Sequence, residues 1–268
     1  MLNIISKLLE AGKNKEVNFH QDGTTLWPIE KELIEFLDNY LRPGANTLET
    51  GVGMSTVIFA YKGCKHTVIA PIRGEYERVV SFCESKGYKC NNLNYFEGES
   101  QDILPKLPAD ELDLVLIDGG HGFPIPFVDW LYTAKRLKIG GIVIIDDIHI
   151  WTGDILMKFL SAEYQWETVK KCNKSVIFKK IGNDVVKDWG GQPFVVSNTE
   201  MPKDWPWLFN VLKGLSTRCV ETAELAHNIE SNDLMNVDRL SLLIEQLKKA
   251  TTLLEDLKGK AKPERRES

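Results

Sequence analysis

Three observations predict an α/β fold built on a doubly wound, mostly parallel sheet. Strand-like and helix-like segments alternate from residue 46 to residue 181, their connections are short, and two apolar runs, "LVLIDGG" and "IVIIDD", end in carboxylates. A continuous apolar run marks a strand covered on both faces, and its carboxyl end is where open α/β sheets hold ligands.

The elements follow in order. "PIEKELIEFLDNYL" places Ile29, Leu33, Phe36, Leu37 and Leu41 on one helical face before "RPG" stops it. "NTLET" reads as a strand, "MSTVIFAYKG" as a helix, "KHTVIA" as a strand, "EYERVVSFCESKG" as a helix and "KCNNLNYFEG" as a strand. "SQDILPKL" reads as a short helix and "LDLVLID" as a strand. "PFVDWLYTAKRLKIGG" reads as a helix, "IVIIDD" as a strand and "GDILMKFLSAE" as a helix. "WETVKKCNKSVIFKKIG" closes the region as a hairpin, for a predicted total of seven strands.

This divides the chain into an N-terminal helical cap (1–45), a sheet domain (46–181), a Trp-rich linker or lid (182–232) and a C-terminal amphipathic helix with its tail (233–268). Trp189, Trp205 and Trp207 in the linker require cover, either by packing or by closing over a pocket. Leu240, Leu243, Leu247, Ala250, Leu254 and Leu257 repeat at three and four residues. Such a stripe suits a seam between subunits, hence a homo-oligomer, and equally a helix docked on its own domain.

With 43% hydrophobic and 26% charged residues the chain is globular, and a net charge of -5 argues against a nucleic-acid partner. The five cysteines form no CxxC pair and read as reduced thiols of a cytoplasmic protein. No run approaches 18 apolar residues, so no transmembrane segment is predicted.

"TLETGVGMST" joins a strand, a glycine turn and a helix start. Gly51 and Gly53 would admit a nucleoside close to the backbone, and the amides near Ser55 suit a carboxylate. Thr56 stands where a dinucleotide fingerprint has its third glycine. Glu49 at the strand tip suits a cationic ligand better than a pyrophosphate. S-adenosylmethionine, with its ammonium and sulfonium, is such a ligand.

On these residues the sequence resembles the class I S-adenosylmethionine-dependent methyltransferases, and is most similar to metal-dependent O-methyltransferases of the catechol and macrocin types. The likeness spans roughly residues 46 to 181 and implies a Rossmann-like methyltransferase fold. It further implies that Ser100 and Gln101 of "GESQDILPKL" hold the adenine, although Ser100 and Asp102 also suit a helix N-terminus without any ligand. Asp118 counts among the cofactor-side residues. The family's ribose-binding acid at the end of the second strand is missing from "TVIAPIR", and Glu75 is the nearest carboxylate able to reach back.

Asp118 ends one strand, Asp146 and Asp147 end the next, and three crowded carboxylates call for a cation. Oxygen ligands favour Mg2+ or another hard divalent ion. The resemblance implies the same role, with Asp147 in place of the family's asparagine. His121, three residues past Asp118, falls where the catechol enzyme has its lysine base. A neutral imidazole there would take the proton from a hydroxyl of a small molecule or sugar. His149 is a second candidate, as base or as a group holding substrate or metal. His66 and His20, without carboxylate company in sequence, read as structural. Two further readings keep the fold: a metal-dependent hydroxylase-like chemistry, or a degenerate methyltransferase fold serving as an interaction module.

Overall fold

The computed structural model describes residues 18–20, 29–183, 186–200, 248 and 252. The amphipathic N-terminal stretch, Trp205, Trp207 and the leucine stripe therefore lie outside the described residues. The chain divides into two compact units, Met1–Ser161 with Gln165–Val185, and Ala162–Tyr164 with Val186–Ser268. In the described part of the second, a one-turn 3-10 helix (Trp189–Gly191) precedes a short helix (Pro193–Asn198).

In the first unit the strands are β1 (Asn46–Thr50), β2 (Lys65–Ala70), β3 (Leu93–Glu97), β4 (Leu112–Ile117), β5 (Leu137–Ile145), β6 (Trp166–Lys171) and β7 (Val176–Lys180). The helices are α1 (Lys31–Tyr40), α2 (Met54–Lys62), α3 (Arg73–Ser85), α4 (Ser100–Ile103), α5 (Ile125–Ala134) and α6 (Trp151–Ala162). Among the described residues the strands form one sheet in the order β3-β2-β1-β4-β5-β7-β6. The first five are parallel, and β7 runs antiparallel to both β5 and β6.

The central strands are buried: in β4 only Asp113 is less than buried, and β1 buries Thr47, Glu49 and Thr50 with Leu48. The edge strand β6 buries Trp166 and exposes residues 168–171. On α1, Leu33, Ile34 and Leu37 pack inward, at about 1.5–3 kcal/mol for each fully buried side chain. Glu30, just before α1, accepts hydrogen bonds from the Lys174 amide (2.7 Å) and the Ser175 hydroxyl (3.1 Å), tying that helix to the β6–β7 turn.

The main departure from the sequence reading lies between α5 and β5. The helix expected to run through "RLKIGG" stops at Ala134, and strand pairing begins at Leu137. Two causes are visible. The buried Lys180 ammonium donates to the carbonyls of Ala134 (2.9 Å) and Leu137 (2.6 Å), capping the helix end. Gly140, at φ +83°, lets the strand pass through an irregularity before regular pairing resumes at Ile142.

Candidate active site

Backbone hydrogen bonds carry the parallel ladder past the strand ends. The Gly51 amide donates to the Ile69 carbonyl (2.9 Å), Asp118 to Thr50 (3.1 Å) and Asp146 to Ile117 (3.0 Å). The glycine loop and the carboxylates therefore share one sheet edge. A Cβ on Gly51 (φ +98°) would lie 2.2 Å from the Asp118 carbonyl oxygen, so that turn admits glycine alone. Gly53 is different. Its backbone is extended (φ 177°), and a Cβ there would meet only His20 Nε2 at 4.0 Å.

Glu49 is 1% exposed. Its carboxylate accepts hydrogen bonds from the Ser55 hydroxyl (2.6 Å) and from the Thr56 hydroxyl, while the Gly53 amide donates to Thr56 Oγ1 (3.0 Å). His66, also sealed from solvent, places Nε2 3.1 Å from Glu49 Oε1, off the line of a hydrogen bond. Its Nδ1 is 2.8 Å from Thr47 Oγ1, and its ring stacks on Phe59 at 4.0 Å. Glu49 thus organises the loop from below rather than projecting from the strand tip. The two histidines without carboxylate company in sequence gain it in the fold: β1 and β2 bring His66 to Glu49, and His20 Nδ1 lies 3.4 Å from Glu75 Oε1.

Ser100 opens α4 and is buried, and Gln101 carries a buried Oε1 without a hydrogen-bond partner among the described residues. Behind them Asp129 of α5 is fully buried beside the Ser100 and Thr50 hydroxyls, though neither oxygen makes a well-formed hydrogen bond. Burial pushes its pKa up to about 6, and the two hydroxyls only partly oppose this.

Asp118, His121 and Asp147 each offer one ligand atom, all within 4.8 Å of one another, a grouping that could hold a cation. His121 Nε2 lies 3.1 Å from Asp147 Oδ2, and His149 Nδ1 lies 3.5 Å from Asp147 Oδ1. Asp147 adopts φ 51°, a left-handed conformation that Asp tolerates better than most residues. Close packing holds it there, since a Cβ on Gly153 would lie 2.8 Å from its carbonyl oxygen. Asp146, expected as a third ligand, stands outside the grouping, with Oδ1 buried and unpartnered. The adjacent-strand position brought it to the edge, but the turn at Asp147 sends the two side chains apart. Burial raises the Asp118 pKa well above the usual carboxylate range, with Asp146, Asp147 and Glu49 adding repulsion. Burial likewise lifts Asp146 to about 6.

The sequence reading missed the exposed aromatic flank of this edge. Phe123 and Trp151, 69% and 62% exposed, stand with ring centroids 6.2 Å apart, and Phe123 also contacts Phe127 at 6.4 Å. An aromatic residue two positions after each of His121 and His149 was the available signal.

A mostly parallel sheet whose strand ends carry a glycine loop beside a carboxylate–imidazole cluster is a Rossmann-like arrangement. Residues 48–148 match the family described as a methyltransferase domain. Solved structures share the fold. The O-methyltransferase TomG from Streptomyces achromogenes, involved in tomaymycin synthesis and in complex with S-adenosylmethionine, is 16% identical, with 66% of this chain and 89% of that one covered at a TM-score of 0.52. A putative caffeoyl-CoA O-methyltransferase from Staphylococcus aureus is 15% identical, covering 67% and 93% at 0.52. Cofactor-bound Rv0187 from MTB is 13% identical, covering 66% and 88% at 0.52. No curated protein matches the chain by sequence. Among the described residues no helix is long and apolar enough to cross a membrane.

Proposed function

We propose that this protein transfers the methyl group of S-adenosylmethionine to a hydroxyl of a small molecule or sugar. The observation that carries the reading is the abutment of the glycine loop and the acidic cluster, with the Cβ position of Gly51 2.2 Å from the Asp118 carbonyl. A cofactor over that loop would present its reactive end to the cluster. The names of the similar structures, TomG and the caffeoyl-CoA enzyme among them, support oxygen as the acceptor atom.

The residues fit the cofactor. Open space above Gly53 leaves room for close approach, Ser55 lies in the first turn of α2, whose amides would face a carboxylate, and the unpartnered Gln101 oxygen beside Ser100 suits the exocyclic amine of adenine. When bound, S-adenosylmethionine supplies an electrophilic methyl on sulfur. Asp118 and Asp147 suit Mg2+ or another hard divalent cation, which would also relieve their mutual repulsion. His121 accepts the acceptor's proton: with Nε2–H directed at Asp147, Nδ1 is left as the base. The exposed rings of Phe123 and Trp151 offer a platform for an aromatic ring or the apolar face of a sugar.

Calorimetric titration of S-adenosylhomocysteine with and without Mg2+, followed by transfer of labelled methyl to a panel of diols, tests the proposal. Micromolar binding with transfer to a hydroxyl supports it, and no binding of S-adenosylhomocysteine overturns it.

A further inference from the structure

Three short polar side chains from three separate segments meet beside the glycine loop. Thr50 ends β1, Ser100 opens α4, and Asp129 stands in the middle of α5, against which α4 packs. Thr50 and Asp129 are fully buried and Ser100 nearly so. The Asp129 carboxyl faces the Thr50 and Ser100 hydroxyls, and among the described residues no charged group acts on it. Thr133, one turn further along α5, gives its hydroxyl to the Asp129 carbonyl (2.6 Å), so it does not serve the carboxyl.

Thr50 is fixed from the cluster side. A Cβ on Gly119 would lie 3.2 Å from Thr50 Oγ1, and the Thr50 carbonyl accepts from the Asp118 amide at 3.1 Å. Thr50 Oγ1 and both Asp129 oxygens are sealed from solvent without well-formed hydrogen bonds. Burying a carboxyl in this way is costly, and an apolar side chain would spare the fold that cost. No ligand touches the carboxyl either, because neither oxygen is exposed. Whatever Asp129 contributes therefore passes through the two hydroxyls, each of which has one proton to donate. Thr50 precedes Gly51 of the glycine loop, and Ser100 precedes Gln101, so the carboxyl joins the two segments that the cofactor reading sets around the nucleoside.

Resting on the cofactor reading above, we propose that Asp129 is a positioning residue of the cofactor site: set between the Thr50 and Ser100 hydroxyls, it fixes the start of α4 against the end of β1. Ser100 and Gln101 are thereby held where they receive the adenine. A side chain that reads a base needs support of this kind, since a contact held too loosely loses most of its worth. The stabilisation lost by burying the carboxyl is the cost of that precision.

The test is a double-mutant cycle on binding. S-adenosylhomocysteine is titrated calorimetrically into the wild type, Asp129→Asn, Asp129→Leu, Ser100→Ala and the Asp129→Leu/Ser100→Ala double variant, with urea unfolding of each to establish that it is folded. Asp129→Leu should bind about tenfold more weakly than the wild type. Asp129→Asn, which keeps two hydrogen-bonding atoms, should stay within about threefold of it. Ser100→Ala should weaken binding in the wild type and change it little in the Asp129→Leu background, where the serine is already misplaced. A merely structural Asp129 would shift the unfolding midpoint and leave the two losses additive. Additive losses, or wild-type affinity in folded Asp129→Leu, overturn the positioning role and leave the cofactor reading intact. Where Asp129→Leu does not fold, Thr50→Val decides: it deprives the carboxyl of one hydroxyl, and its loss should likewise fail to add to that of Ser100→Ala. Failure of the wild type to bind S-adenosylhomocysteine overturns the cofactor reading and the positioning role with it.

Discussion

Glu49 and His66 are sealed together at the base of the glycine loop, Oε1 to Nε2 at 3.1 Å, with neither side chain more than 1% exposed. The loop's hydroxyl contacts, from Ser55 and Thr56, converge on the same carboxylate. The glycine loop after β1 therefore rests on a residue of β2.

Removing the imidazole would take a polar neighbour from that buried carboxylate and leave the Thr47 hydroxyl without its partner on His66. His66→Leu should destabilise the domain by about 1–3 kcal/mol, the scale for leaving buried polar groups unsatisfied, in urea or thermal unfolding. His66→Gln, which keeps a hydrogen-bonding group against Thr47, should lose less. Equal stability of all three proteins would show that Glu49 needs no partner.

The two carboxylates of the cation grouping should be separable from their neighbour. Asp118→Asn and Asp147→Asn should each weaken Mn2+ or Mg2+ binding by about tenfold or more, measured by calorimetry, because each removes a charge on the ion. Asp146→Asn, outside the grouping, should weaken it less. A wild-type protein that binds neither ion would make these side chains a substrate rim instead.

His121→Ala should lower methyl transfer by about 100-fold or more, the usual scale for general base catalysis, with S-adenosylhomocysteine affinity unchanged. Its residual rate should climb with pH as the acceptor ionises unaided. A flat pH profile together with wild-type turnover would move the base elsewhere, with His149 the next candidate.

Asp129 links stability to pH. Its folded pKa, raised to about 6, exceeds the unfolded value, so its contribution is fully present below about pH 4 and is lost as pH rises through 6. Asp129→Asn escapes that loss. Relative to the wild type, the variant should gain up to about 3 kcal/mol between pH 4 and pH 7.5 in denaturant unfolding. A pH-independent difference would mean that Asp129 titrates normally.

Much of this was legible from residue order alone. Apolar runs ending in Asp118 and Asp146 located the sheet edge where the carboxylates gather, because burial on both faces writes itself into a strand as an unbroken apolar stretch. The end of α5 was not legible. It depends on Lys180, more than 40 residues away, and on a glycine conformation that the helical pattern conceals. Nor could spacing pair His66 with Glu49, since that contact exists only once β1 and β2 align. The exchange of Asp146 for His121 in the acidic grouping has the same origin. Sequence position fixes which residues reach the edge, whereas the left-handed turn at Asp147 decides where each one points.

The order of the last three strands has a consequence for synthesis on the ribosome. β7 sits between β5 and β6, so the apolar edge of β5 at Val143, Ile144 and Ile145 gains its partner only when residues 176–180 have emerged. β6 leaves the ribosome first yet cannot serve, since its neighbour in the sheet is β7. A nascent chain paused between residues 149 and 175 thus carries every strand-end residue assigned to the site while presenting an open β5 edge to other chains. Truncations in that window should aggregate, and the β6–β7 hairpin is what ends the exposure.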